Sequence, residues 1–391
     1  MTETFQFVRL PDIHFGRGKY TMIPNLINEF GKRILVITGA TIFLESSHWE
    51  VISELLDLHK FDYYHTIVNH QPTPKTIDFI TNEYRGQGIN AVLAIGGGSV
   101  LDTGKAVAAM LAHKGSVREY IEEVGEKNHP GYSLPLIAVP TTAGTGSETT
   151  KYAYISEVGP NGFKKALQHS RFVPKLAVID PELYVTCSPE ITAYTGMNTL
   201  SQLMSAYVSL DANALTDTLA FKGLSNIKRC LKVAYNNGKN LPARSGMGYA
   251  SMISGVATSN TGFGLVRGIA EAIGAKYDIK HSVLTATLLA ASTEKTIKEL
   301  RKHYEDDSES LKKYAAIGRL QSKRKGRSKS YYIDNLVDAL YKQTEDFEIP
   351  KLSTLGVKEE DLISIAEKTQ FHNNPMPLLG ENVLKVLKKR F

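Results

Sequence analysis

The chain has 391 residues, more than one hydrophobic core usually organises, so two domains are expected. With 42% hydrophobic and 22% charged residues it reads as a soluble globular protein, neither disordered nor fibrous. The net charge is only +6, much of it in residues 323–329 and 385–390, and no broad basic surface of the kind that binds nucleic acid is legible.

Two cysteines, Cys187 and Cys230, without a CxxC pair argue against both a disulfide scaffold and a zinc ribbon. The start, MTETFQFVRLPDIHFG, lacks the basic-then-apolar layout of a secretory signal. The uncharged run Ile191 to Leu210 is interrupted by Asn, Gln, Ser and Thr, which is poor for a membrane span. A cytoplasmic protein with no membrane partner is expected.

In chain order, the first half alternates short β-branched runs with amphipathic segments. Strands are expected at 33–39 (RILVITG), 90–98, 134–142 and 176–180, with helices over 49–59 and 100–113. Continuous apolar strands separated by helices predict a parallel sheet covered on both faces. Ligands then bind at the carboxyl ends of the strands, where Gly39, Gly96 to Ser99 and Thr141 to Thr145 fall. After Pro181 helical periodicity takes over. The expected organisation is an α/β domain over 1–184 and an all-helical domain over 185–391.

In AIGGGSVLDTGKA (94–106), three glycines at a strand end let a diphosphate approach the backbone, and the following helix start offers free N–H groups. Ser99 and Asp102 also fit a capping box, a reading compatible with the first. The loop VPTTAGTGSETT (139–150) holds G-x-G without the full dinucleotide fingerprint, but it ends a neighbouring strand and is expected to line the same crevice. Gly39 stands where such sheets often carry an acid for the ribose hydroxyls. Here it is flanked by Thr38 and Thr41.

The stretches FGRGKY, GGGSVLDTGKA, PTTAGTGSE, VIDPEL and NNPMPL follow one pattern in order and spacing. Over its whole length the chain resembles the iron-containing (group III) alcohol dehydrogenase family. The resemblance implies a dehydroquinate synthase-like fold with hydride transfer in the cleft between its two domains. Carried over by position, Gly96, Gly97, Gly98 and Ser99 would bind the diphosphate, with Asp102 beside the cofactor. Thr141, Thr142 and Thr145 would contact its adenine and ribose side, and Lys164 or Lys165 would lie near it. Gly39, in place of the acid of NAD-preferring members, points to NADP rather than NAD.

The family holds iron or zinc with an Asp and a His one helical turn apart and two later histidines. The first pair reads GMNTLSQ here, giving Asn198 and Gln202. The third position is Arg267, a further site histidine is replaced by Glu271, and only His281 remains, followed by Ser282. An amide replaces the anionic ligand, and a guanidinium has no lone pair to give. One histidine cannot retain zinc or ferrous iron, so the family metal is expected to be absent.

On the helix around Ile191 to Leu210, Met197, Leu200, Met204 and Tyr207 form an apolar stripe opposite Asn198, Ser201, Gln202 and Ser205. Buried amides need partners, and Arg267 is expected to supply one. Either Arg267 pairs with Glu271 and plugs a vacated site, or it replaces the metal as the cation that polarises a carbonyl. His281, Tyr277 and Glu271 are the candidates for proton transfer, and an anionic substrate, a carboxylate or phosphate, suits the guanidinium. The leading expectation is an NAD(P)-linked oxidoreductase of a small carbonyl or alcohol, working without the metal. The alternative is a dinucleotide-binding sensor or assembly subunit that has lost its catalytic centre. A homodimer is the candidate assembly.

Overall fold

The computed structural model describes residues 4–39, 43–304, 308–378 and 380–391, so Thr41 lies outside the described residues. Six strands form one parallel sheet: β1 (Asp12–Phe15), β2 (Arg33–Gly39), β3 (Asp62–Val68), β4 (Ala91–Gly96), β5 (Leu136–Pro140) and β8 (Leu176–Ile179), ordered β1-β8-β5-β4-β2-β3. Strand side chains alternate between faces, so a strand buried on both must be apolar throughout. On β2, Ile34 and Val36 enter one core while Leu35 and Ile37 enter the other; on β4, Leu93 and Ile95 oppose Val92 and Ala94. The helices of this half are α1 (Ile23–Ile27), α2 (Ser47–Leu58), α3 (Pro74–Tyr84) and α4 (Gly98–Leu111).

From Pro189 onward the described residues form helices and connecting loops only. These are α5 (Pro189–Val208), α6 (Ala214–Asn236), α7 (Leu241–Thr261), α8 (Leu265–Gly274), α9 (His281–His303), α10 (Glu309–Gln321), α11 (Lys329–Asp346), α12 (Leu362–Lys368) and α13 (Gly380–Lys389). Ser188 starts α5 by accepting from the Ile191 N–H at 3.1 Å, with Pro189 preset in the first turn. Among the described residues no helix is long and apolar enough to cross a membrane.

Three features differ from the sequence reading. Strands β1 and β3 form the two edges of the sheet, and β3 (DYYHTIV) buries only Val68, so neither shows the apolar run of a central strand. An antiparallel hairpin, β6 (Tyr152–Glu157) with β7 (Phe163–Gln168), forms a separate two-stranded sheet, its pattern obscured by Lys164 and Lys165. The residue capping α4 is Gly97, not Ser99, and Asp102 hydrogen-bonds elsewhere, so the capping box does not form.

Candidate functional site

The two glycine- and threonine-rich loops meet at the ends of β4 and β5. The Thr141 N–H donates to the Gly96 carbonyl at 3.0 Å. A Cβ on Gly98 would come within 2.6 Å of Thr145, and one on Gly97 within 3.3 Å of the Thr142 hydroxyl, so the loops interlock only because these positions lack side chains. Val100 and Leu101 donate to the Gly97 carbonyl, and the preceding N–H groups of Gly98 and Ser99 stand at the half-exposed helix start. That is a cradle for a diphosphate, and a dinucleotide fits it. Gly39 ends β2 nearby, and a Cβ there would meet only Val100 at 3.6 Å, an ordinary contact that leaves room.

Behind the cradle, Asp102 ties α4 to the hairpin. It accepts from the Ser147 hydroxyl at 2.5 Å and from the Tyr154 N–H at 3.1 Å, and burial raises its pKa against the pull of Lys105. Lys105 is itself buried and donates to the Ser147, Thr150 and Tyr152 oxygens; burial pushes its amine down to about 8.

The amides on α5 do not bind Arg267, contrary to expectation. Asn198 Nδ2 donates to the Gly144 carbonyl at 2.8 Å, and its Oδ1 accepts from the Thr285 hydroxyl at 2.8 Å. Gln202 Nε2 donates to the Thr145 carbonyl at 3.2 Å, and its Oε1 accepts from Ser254 at 2.8 Å. Both amides thereby strap the helical half to the cofactor loop. The nearest acceptors are backbone carbonyls, which only a donor can face. Gly146, at φ 67°, packs so closely on Gly255 of α7 that neither could carry a side chain.

Arg267 is buried at 9% exposure and pairs with Glu271 one helical turn on, Nε to Oε1 at 2.7 Å. Its guanidinium carbon lies 3.5 Å from the Tyr154 ring centroid and 4.1 Å from that of Phe263. The two rings stand at 79° to each other and make a corner around the cation. Burial disfavours the charge, but Tyr154, Glu271 and Asp102 outweigh it and raise the guanidinium pKa. Of the two sequence readings, this pair supports the plug.

His281 opens α9, and its Nδ1 is buried without a partner among the described residues. Burial, then Arg267 and Lys164, hold its pKa well below the usual value, so the ring is neutral. With Asn198, Gln202, Arg267 and Thr285 it lines a cavity of about 10 Å³, the space of one water. Lys164 points inward, donating to Gln71 Oε1, and burial with nearby Arg267 pushes its amine down to about 8. Lys165 points outward to Glu123 and Gln370. Tyr277 is not in the site: its hydroxyl donates to Asp361 and accepts from the Lys358 N–H, away from the cavity.

This donor set does not fit the iron of the family it resembles. Two amides are engaged, the guanidinium has no lone pair, and one neutral imidazole remains. Among the described residues no group of three or more His, Cys, Asp or Glu is arranged to hold a metal ion. The sequence reading missed Tyr152, Tyr154, Phe263, Lys105 and Gln71. The Y-A-Y alternation at 152–154 was the signal available for the hairpin.

Comparison with known proteins gives one answer. Residues 11–181 match "Iron-containing alcohol dehydrogenase", and residues 192–391 match "Fe-containing alcohol dehydrogenase family, C-terminal". The chain is 30% identical to alcohol dehydrogenase 4 of Saccharomyces cerevisiae, covering 100% of both chains. It is 29% identical to the NAD-dependent methanol dehydrogenase of Bacillus methanolicus, over 95% of this chain and 96% of that one. The solved alcohol dehydrogenase of Oenococcus oeni superposes with a TM-score of 0.87 at 27% identity, covering 99% of this chain and 100% of that one.

Proposed function

The chain belongs to the iron-containing alcohol dehydrogenase family, and from that premise we propose that it is an NAD(P)-dependent oxidoreductase of a small carbonyl or alcohol that works without the family metal. The observation that carries this reading is that three of the four ligand positions are engaged elsewhere. Asn198 and Gln202 are hydrogen-bonded at both ends, and Arg267 is ion-paired.

The nicotinamide cofactor supplies the hydride. The chain's own residues do the rest. Gly96 to Ser99 receive the diphosphate, Thr141, Thr142 and Thr145 line the loop beside it, and Lys164 sits at the inner wall of the cleft. NADP is the preferred form, since Gly39 leaves room and no negative charge for a 2′-phosphate. Arg267 keeps one positive charge where relatives hold a cation, and its Nη atoms, unpartnered among the described residues, are the donors available to a substrate oxygen. His281 is the imidazole beside this cation, its Nδ1 buried and unpartnered among the described residues.

A second reading has its own support. The Glu271 carboxylate offsets part of the Arg267 charge, as expected of a dinucleotide-binding protein whose chemical centre has become structural. Turnover separates the two. Protein purified without added metal is assayed with NADPH or NADH against a panel of aldehydes and 2-oxo acids. Oxidation of cofactor that depends on the carbonyl supports the enzyme, and binding of cofactor without turnover supports the second reading.

A further inference from the structure

The surroundings of Arg267 define what it can hold. Glu271 occupies Nε at 2.7 Å, and the Tyr154 and Phe263 rings flank the central carbon. Nη1 and Nη2 have no hydrogen-bond partner among the described residues, yet neither is sealed from the surroundings as the orphaned His281 Nδ1 is. Arg267 lines a cavity of about 870 Å³, shared with Tyr154, Phe263, Lys151 and Asn260, as well as the water-sized one beside His281. A guanidinium that is nine-tenths buried, held at Nε and against two rings, with both Nη atoms unpartnered among the described residues, offers a two-donor fork to the cavities it lines.

We infer that this edge selects the substrate: a small 2-oxo acid, or its 2-hydroxy acid, whose carboxylate oxygen and neighbouring carbonyl or hydroxyl oxygen accept from the two Nη atoms together. The inference rests on the oxidoreductase reading above and deepens it. Two acceptors on adjacent carbons lie in one plane, which a planar fork matches and a single aldehyde oxygen does not. The larger cavity leaves room for a side chain beyond the two oxygens. A simple alcohol would leave one Nη donor without an acceptor, which disfavours it relative to the acid.

Oxalate tests this without turnover, because it presents the same two vicinal acceptors and cannot be reduced by hydride in the same way. Isothermal titration of the full chain with oxalate, acetate and ethylene glycol is compared among wild type, Arg267→Lys and Glu271→Gln at one ionic strength. The expected order in wild type is oxalate tightest, acetate weaker and glycol not measurable. Arg267→Lys keeps the charge but loses the fork, and oxalate binding should weaken roughly 10- to 100-fold. Glu271→Gln removes the competing carboxylate, so oxalate should bind at least as tightly as to wild type. If Arg267→Lys does not fold, the wild-type order and the Glu271→Gln comparison decide. Absence of oxalate binding to wild type, equal binding of acetate, or undiminished binding by Arg267→Lys overturns the inference. Because no cofactor is consumed, oxalate binding with no carbonyl turnover would instead fault the oxidoreductase reading alone.

Discussion

Asn198 of α5 donates through Nδ2 to the Gly144 carbonyl of the cofactor loop at 2.8 Å. The residue at the first metal-ligand position is thus a strap between the two halves of the chain. Its other end is held by Thr285 of α9. An aspartate here would turn a carboxylate towards a carbonyl, with no donor between them.

Asn198→Asp should therefore destabilise the chain by about 1–3 kcal/mol, the cost of a lost buried hydrogen bond with its acceptor left unpaired. Denaturant midpoints of the two proteins check this. An unchanged midpoint would mean that the strap contributes nothing.

The combination Asn198→Asp, Gln202→His and Arg267→His rebuilds an anionic ligand and three imidazoles around one cavity, since these positions and His281 line it together. Zinc content after dialysis should approach one per chain in the triple variant and stay near zero for Arg267→His alone. Equal uptake by the single variant would show that the amides are no obstacle.

The glycine loop at the strand end was legible in the sequence from local features, whereas the four ligand positions came from the family resemblance, carried over by motif. Strand ends with glycine fix a loop, and helical spacing fixes which side chains share a face. What the amides bind was not legible. Asn198 and Gln202 reach carbonyls 54 and 57 residues upstream, brought close by the packing of Gly146 on Gly255. The corner around Arg267 was hidden for the same reason: Tyr154 belongs to a hairpin whose lysine-bearing partner strand does not read as one. Tyr277, a proton-transfer candidate in the sequence, lies beyond the C-terminal end of α8, where its hydroxyl finds Asp361.

Glu148, inside the same loop, supplies a pH test. Burial pushes its carboxyl up from 4.5 to about 7, with its own N–H and Lys105 opposing. The folded chain then holds this proton more tightly than the unfolded one. The stabilisation is complete below about pH 4.5 and is lost as pH rises through about 7. Glu148→Gln should flatten that part of the stability profile, a slope of at most about 1.4 kcal/mol per pH unit. Urea midpoints at pH 5 and pH 7 measure it, and identical slopes in both proteins would contradict the assignment.

Gly39→Asp should reverse the cofactor preference. The position has room for a side chain, and a carboxylate there repels a 2′-phosphate while accepting from ribose hydroxyls. The ratio of NADP to NAD dissociation constants should shift towards NAD by roughly 10-fold or more, from the loss of about 1.4 kcal/mol of relative binding. Tighter binding of NAD than NADP by the wild type would sink the premise.

The central claim is tested most directly by following NADPH oxidation with glyoxylate, using protein dialysed against a chelator, with iron and zinc measured in the same sample. Turnover that persists at metal contents far below one atom per chain, and does not rise when iron or zinc is added back, is the predicted result. Activity that disappears with the metal and returns with it would contradict the account.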